Sequence, residues 1–503
     1  MEDSLKKRYM IKLFTNIVSG IIGAILIAIV PKALGPVAYG QFIYLQDFFS
    51  KIISFLDMGS SIAFFTKLSA NQKRKELIVF YFIYSFVVFF IVVIFIYSLD
   101  SLGYISNLLP QIANEYIYLG LFFGFLTWFS QIFIKISDAY ALTVSVELIK
   151  IVHRILSLLL LLYFIYDTDF DLKGYFYFHY ISLSSFLLIT VWLFIKKGIF
   201  KNISFKIQNL KLKTTIKEFI AYCHPLLVYS ILGIVVGLFD IWLLQKIGGS
   251  EQTGFYGLAY GLATMSFLFT GAMTPIITRE FAKSHGEKNL KEMKRLFYRY
   301  IPMLYTIATY FAVFVAIQSE TVLAIFTDEK FKDAYLVLMV MAFYPIHQTY
   351  GQLSGSIFYA TGQTKLLRNI SFFTQPLGLI FSFLLIYLFD LGAIGLAWKM
   401  IIIQFIGVNI QLYFNAKFLS FNIKYFIFHQ IYVVIVFFCM ALISSYFVVS
   451  TLPLVNFLFS GFIYTILVIM LTFIFPQIFA LKRDEVHEVL TRLKNVIKRK
   501  TKK

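Results

Sequence analysis

Long apolar runs alternate with short polar breaks along the whole chain, and this pattern sets the first expectation. A helix needs about 20 predominantly apolar residues to cross a bilayer. Fourteen stretches qualify, at roughly 13–33, 39–66, 77–98, 115–135, 140–166, 174–195, 218–247, 252–279, 297–319, 334–360, 366–389, 392–416, 425–449 and 456–480. Buried strands would be shorter and bounded by frequent turns, so the runs predict helices. No gap between them is long enough for a soluble catalytic domain.

Composition agrees with an all-α integral membrane protein. The 503 residues are 59% hydrophobic and 14% charged, with a mean hydropathy of +0.80. A soluble domain has about 25% charged residues. The start, MEDSLKKRYM, has no signal-peptide pattern. Cys223 and Cys439 each stand alone in an apolar run, which excludes a disulfide framework and a thiolate metal site.

The formal net charge of +19 matters through its distribution. With the N-terminus placed in the cytoplasm, 36 of the 45 Lys and Arg fall on the cytoplasmic side and only five on the other. Four lie inside spans: Lys51, Lys150, Arg154 and Lys399. Such a bias supports fourteen spans with both termini cytoplasmic. The charge then reflects topology and anionic lipid headgroups, not nucleic acid. In the tail, 482–503, apolar residues from Val486 to Ile497 recur at helical spacing opposite Lys and Arg, which reads either as a helix lying on the membrane surface or as a frayed basic tail.

An internal repeat is visible at an offset of 214 residues. LGPVAYGQFIY (34–44) aligns with GGSEQTGFYGL (248–258), so that Gly35 meets Gly249 and Gly40 meets Gly254. Six spans separate the two turns, so the repeats share one orientation. Parallel repeats imply two bundles, here 1–210 and 211–420, that rock around a central cavity. Spans 13 and 14 (421–481) stand outside the repeat.

The chain resembles the polysaccharide-exporter branch of the multidrug/oligosaccharidyl-lipid/polysaccharide superfamily. The residues that carry the likeness are Asn16, PKALGPVAYGQF (31–42, with Gly35, Pro36, Tyr39 and Gly40), LDMGSSIA (56–63), HPLLVYS (224–230), Asp240, GGSEQTGFY (248–256) and Pro275. The resemblance implies two six-helix bundles forming a V, plus two appended helices. It implies a flippase in the bacterial inner membrane for undecaprenyl-pyrophosphate-linked oligosaccharides, serving O-antigen or capsule synthesis. Its partners would be that substrate, membrane lipids, and the polymerase and glycosyltransferases of the same pathway. Peptidoglycan-precursor flippases and cation-coupled multidrug exporters share the superfamily.

Ionisable residues inside spans are the candidate chemistry. In VELIKIVHRI (146–155), Glu147, Lys150 and Arg154 fall within about 60° of one another, and His153 extends the arc to about 120°. Asp47, Lys51 and Asp57 form a second stripe in span 2. A charge at this depth is costly unless it faces water or a partner. Local pairing, Asp47 with Lys51 and Glu147 with Lys150, is one reading. The other is an anion site in which Lys51, Lys150, His153 and Arg154 receive a pyrophosphate, since a guanidinium fork suits that group. Asp47, Asp57 and Glu147 would then line the cavity. Asp240 and Lys399 are suited either to pairing as a lock or, for Asp240, to holding a coupling Na+ or H+. His224 reads as a packed, hydrogen-bonded residue, and Pro225, Pro275, Pro345 and Pro376 as kinks.

No phosphate-binding GxxxxGK[ST] loop, HExxH helix or GxSxG elbow occurs, and no metal or other cofactor is expected. Energy must therefore come from an ion gradient or from the substrate gradient. Mid-depth cations disfavour a drug exporter for cationic compounds. The lack of a large soluble segment disfavours a membrane-embedded glycosyltransferase.

Overall fold

Each of the fourteen apolar runs is built mainly of helix in the computed structural model, which describes residues 5–167, 170–201, 212–267, 273–481 and 483–484. The helices are α1 (Leu5–Asp57), α2 (Ser60–Ala70), α3 (Glu76–Ser101), α4 (Ile105–Leu108), α5 (Asn114–Ala139), α6 (Thr143–Asp167), α7 (Leu172–Lys196) and α8 (Leu212–Thr264). They continue with α9 (Thr274–Gly286), α10 (Leu290–Ile317), α11 (Ser319–Phe326), α12 (Ala334–Met341), α13 (Tyr344–Ala360), α14 (Thr364–Ser382), α15 (Gly392–Leu419), α16 (Ile423–Ser445) and α17 (Pro453–Ile474). Among the described residues there is no strand. Among the described residues, eleven helices are long and apolar enough to cross a membrane. The expected tail helix and the side chains of His224, Pro225 and Pro275 lie outside the described residues.

Two of the long helices each hold two spans. α1 is interrupted at Gly35 (φ 75°, ψ 169°) and α8 at Gly249 (φ 77°, ψ −176°). Only glycine adopts this backbone without strain, and both breaks have the same geometry. Pro36 restarts the first helix where its missing N–H costs nothing. Pro345 does the same at the start of α13, after the turn that ends α12.

The repeat is visible as a contact. A methyl group at Gly40 would lie 1.7 Å from the Ser250 carbonyl oxygen, and one at Gly254 would lie 2.3 Å from the Pro36 carbonyl oxygen. Ser250 is the 214-residue counterpart of Pro36, so the two contacts are one contact seen twice, as across a two-fold axis. Gly257 repeats the pattern against Ile43, its own counterpart. The loop carrying α4 straps this crossing. Tyr44 Oη donates to the Leu108 carbonyl at 3.0 Å, Trp242 Nε1 to Asn107 at 3.0 Å and Gln245 Nε2 to Pro110 at 3.2 Å.

The chain separates into two compact units, residues 1–257 with 382–393, and residues 258–381 with 394–503. The 212–248 arm of α8 thus belongs to the first unit by contact. That unit packs around Phe64, Tyr81, Phe133 and Phe194, with Phe64 stacked on Tyr81 at 4.5 Å. In it α5 approaches α1 through GLFFG, 120–124. Methyls at Gly120 and Gly124 would meet Leu45 and Phe49 at 2.9 and 2.8 Å. Two small residues four apart allow this approach, as in other membrane helix pairs. The second unit packs α10, α13, α15, α16 and α17 around Phe297, Tyr305, Tyr350, Phe437 and Tyr464.

Candidate functional site: the charged faces of α1 and α6

The 36–57 arm of α1 carries three chemistries on three sectors. Gln46, Ser50 and Ser54 lie within about 80° of arc, Asp47 and Lys51 follow, and Phe48, Ile52 and Phe55 occupy the opposite side. Lys51 Nζ bonds Asp47 and also donates to the Gly237 carbonyl of α8 at 2.8 Å. Asp240, one turn further along α8, accepts from Ser382 Oγ at 2.5 Å and lies close enough to Asp47 for the two carboxylates to interact. The charges of α1 and Asp240 therefore form one polar crossing inside the first unit. The apolar sector borders a groove of about 520 Å³ whose walls include Val92 of α3 and Leu238 and Trp242 of α8.

On α6 the charged stripe divides by role. Glu147 is 3% exposed and bonds Lys150 Nζ at 2.9 Å. His153 turns towards α7, its Nε2 meeting the Ser182 carbonyl at 2.8 Å and Ser185 Oγ at 3.0 Å. Arg154 is exposed and, among the described residues, makes no ion pair or hydrogen bond, although the Glu147 carboxylate two turns back acts on it electrostatically. Arg154 lies off the exposed apolar face of the helix. Leu148, Val152, Leu156 and Leu159 form the exposed apolar face, and Arg154 points about 150° away from its centre.

Asp57 is fully engaged. Helix α1 breaks after it, with Met58 and Gly59 at φ 49° and 77°. The carboxylate then accepts from Ser60 Oγ at 2.8 Å, the Ser61 N–H at 3.1 Å, Ser61 Oγ at 2.9 Å and Tyr81 Oη at 2.7 Å. It caps α2 inside the span, supplying acceptors that a broken helix would lack. Lys399 of the second unit is 6% exposed, its stem against Gly378. Among the turn residues, Tyr39 is buried beside the crossing described above.

At the N-terminal side of the membrane, polar bonds tie loops together. Glu218 Oε2 accepts from Lys67 at 3.2 Å and Arg74 at 3.1 Å, and Lys75 Nζ donates to the Lys201 carbonyl at 2.7 Å. Sequence reasoning missed these partners, the GLFFG contact and the α1–α8 polar crossing. Only the small-residue spacing at 120 and 124 was available as a signal.

Comparison with known proteins agrees with this architecture. Residues 225–384 match the MatE family model. The fold is shared with a multidrug resistance MATE family transporter of the MOP superfamily in an inward-facing conformation. That match has a TM-score of 0.64 and 16% identity, over 83% of this chain and 98% of the other. It is also shared with the lipid II flippase MurJ in an inward closed conformation, at a TM-score of 0.65 and 17% identity, over 91% and 98%. By sequence, the capsular polysaccharide biosynthesis protein CapF of Staphylococcus aureus is 24% identical over 267 residues. The match spans 53% of this chain and 65% of CapF, just under two thirds of that relative.

Proposed function

Starting from a multi-pass membrane chain with the fold of the MOP-superfamily transporters and a MatE stretch at 225–384, we propose that this protein is a flippase for lipid-linked oligosaccharides. It carries no chemistry of its own. It moves undecaprenyl-pyrophosphate-linked repeat units from the cytoplasmic to the outer leaflet of the bacterial inner membrane by alternating access, for capsule or O-antigen assembly. The capsule-related sequence match and the flippase among the structural neighbours support the lipid-linked class.

The observation that carries the reading is Arg154. An arginine at mid-depth of a membrane helix, exposed and unpaired among the described residues, is held at high cost unless an anion visits it. Lys150, one turn from Arg154 on α6, and Lys51 on α1 both keep carboxylate partners and so add less free positive charge than Arg154. His153, bound to serines of α7, orients the helix that presents Arg154. Asp240, on the polar crossing, is the group through which Na+ or H+ would couple.

The test is the surface-polymer assay on variants present at normal abundance. Arg154→Ala removes a charge-assisted contact worth about 1.5–3 kcal/mol, roughly 10- to 150-fold in binding. Surface polymer should fall and lipid-linked repeat units accumulate inside. Arg154→Lys should recover only part, because a point charge lacks the fork. Unchanged polymer in the Arg154→Ala, Lys150→Ala double variant would remove the anion site from α6. Loss of drug tolerance with intact polymer would instead favour a drug exporter. Lysis with accumulated peptidoglycan precursor would favour that precursor as substrate.

A further inference from the structure

The polar sector of α1 faces a cavity of about 180 Å³ closed on its other side by α5. Gln46, Ser50 and Ser54 line it from α1, and Thr127, Trp128 and Gln131 from α5. Gly124 sets its upper edge, where the two helices come into van der Waals contact. It contains no charged side chain, although the Asp47–Lys51 pair sits on the next sector of α1.

Polar side chains buried between membrane helices normally spend their hydrogen bonds on the helices themselves. Elsewhere in this chain Ser and Thr hydroxyls do so, as Ser85, Thr190 and Thr309 donate to the carbonyl four residues back. The cavity residues do not. Gln46, Ser50, Ser54 and Gln131 are exposed residues that line the cavity, and among the described residues their side chains hydrogen-bond no protein group. The Thr127 hydroxyl is buried and has no partner. Two amides and three hydroxyls, one of the hydroxyls buried and without a partner, therefore present donors and acceptors to a space walled by an indole. A charged ligand would lack a counter-ion here, and an apolar one would strand the amides. A pyranose fits both demands. Its ring face of C–H groups packs on an aromatic plane, and its rim of hydroxyls both gives and accepts hydrogen bonds.

We propose that this cavity is a saccharide subsite that receives a sugar of the lipid-linked substrate. The inference rests on the flippase reading and adds to it a site for the carbohydrate part.

The experiment measures binding to the purified full-length protein in nanodiscs, following tryptophan fluorescence. The probes are farnesyl pyrophosphate and its glucosyl, galactosyl and N-acetylglucosaminyl derivatives. Two or more neutral hydrogen bonds plus ring stacking should make at least one glycosylated probe bind about tenfold tighter than farnesyl pyrophosphate. Ser54→Ala with Gln131→Leu should erase that increment and leave farnesyl pyrophosphate affinity unchanged, which also reports that the variant is folded. Trp128→Phe should keep part of it. Equal binding of all four probes, or an increment that survives the double variant, overturns the subsite and leaves the flippase reading in place. If none of the probes binds, the subsite is overturned, and the surface-polymer assay decides the flippase reading separately.

Discussion

Glu218 shows how single residues on the N-terminal side of the membrane hold distant segments. Its carboxylate takes one ammonium and one guanidinium from the 67–76 region. Both partners are partly exposed, so each pair is worth about 0–1 kcal/mol and is screened by salt. Glu218→Gln should speed amide exchange in residues 70–76 at low ionic strength, and high salt should bring the wild type towards the variant. Equal exchange in both proteins at every salt concentration would show that the loop is held by other contacts. These partners were invisible in the sequence because they lie 144 and 151 positions apart, and periodicity reports only a residue's own helix. The same applies to Asp57. Its place on a charged stripe was visible, but its four donors depend on a helix break that the residues LDMGSS do not announce. Where pairing is local, as for Asp47 with Lys51 and Glu147 with Lys150, spacing alone had offered the partner as one of two readings.

At the scale of elements, helix breaks and close approaches are set by glycine. The fourteen runs were readable because bilayer thickness imposes a length on each. The paired turns were readable because Gly35 and Gly249 adopt one backbone shape that other residues resist. That the turns touch was not readable, since contact between two segments 214 residues apart leaves no periodic mark. A methyl at Gly40 cannot be absorbed by a side-chain shift, because it meets backbone at 1.7 Å. Gly40→Ala should therefore wedge the turns apart at a cost of at least about 1–3 kcal/mol. A cysteine placed at Ser250, buried in the native protein, should then react with a membrane-impermeant maleimide, and surface polymer should fall. Continued protection of that cysteine, with normal polymer, would mean the crossing yields easily and does not limit the cycle.

For the whole molecule, the distribution of Lys and Arg predicts one orientation in the membrane. Single cysteines in 197–201 and 282–296 should label only from the cytoplasm, and those in 100–112 and 320–332 only from outside. Outside labelling of 282–296 would invert half of the chain and end the fourteen-span arrangement. The crossing of the two turns has a consequence for ancestry. Gly40 meets the counterpart of Pro36, and Gly254 meets Pro36 itself, so each side of the contact is the same segment counted twice. A six-span chain that paired with its own copy would make this contact by symmetry, and gene fusion would have inherited it unchanged. Cutting the chain in the 202–211 segment should return it to that earlier condition: two separately encoded halves that find each other through a shared backbone surface rather than through side chains free to drift apart.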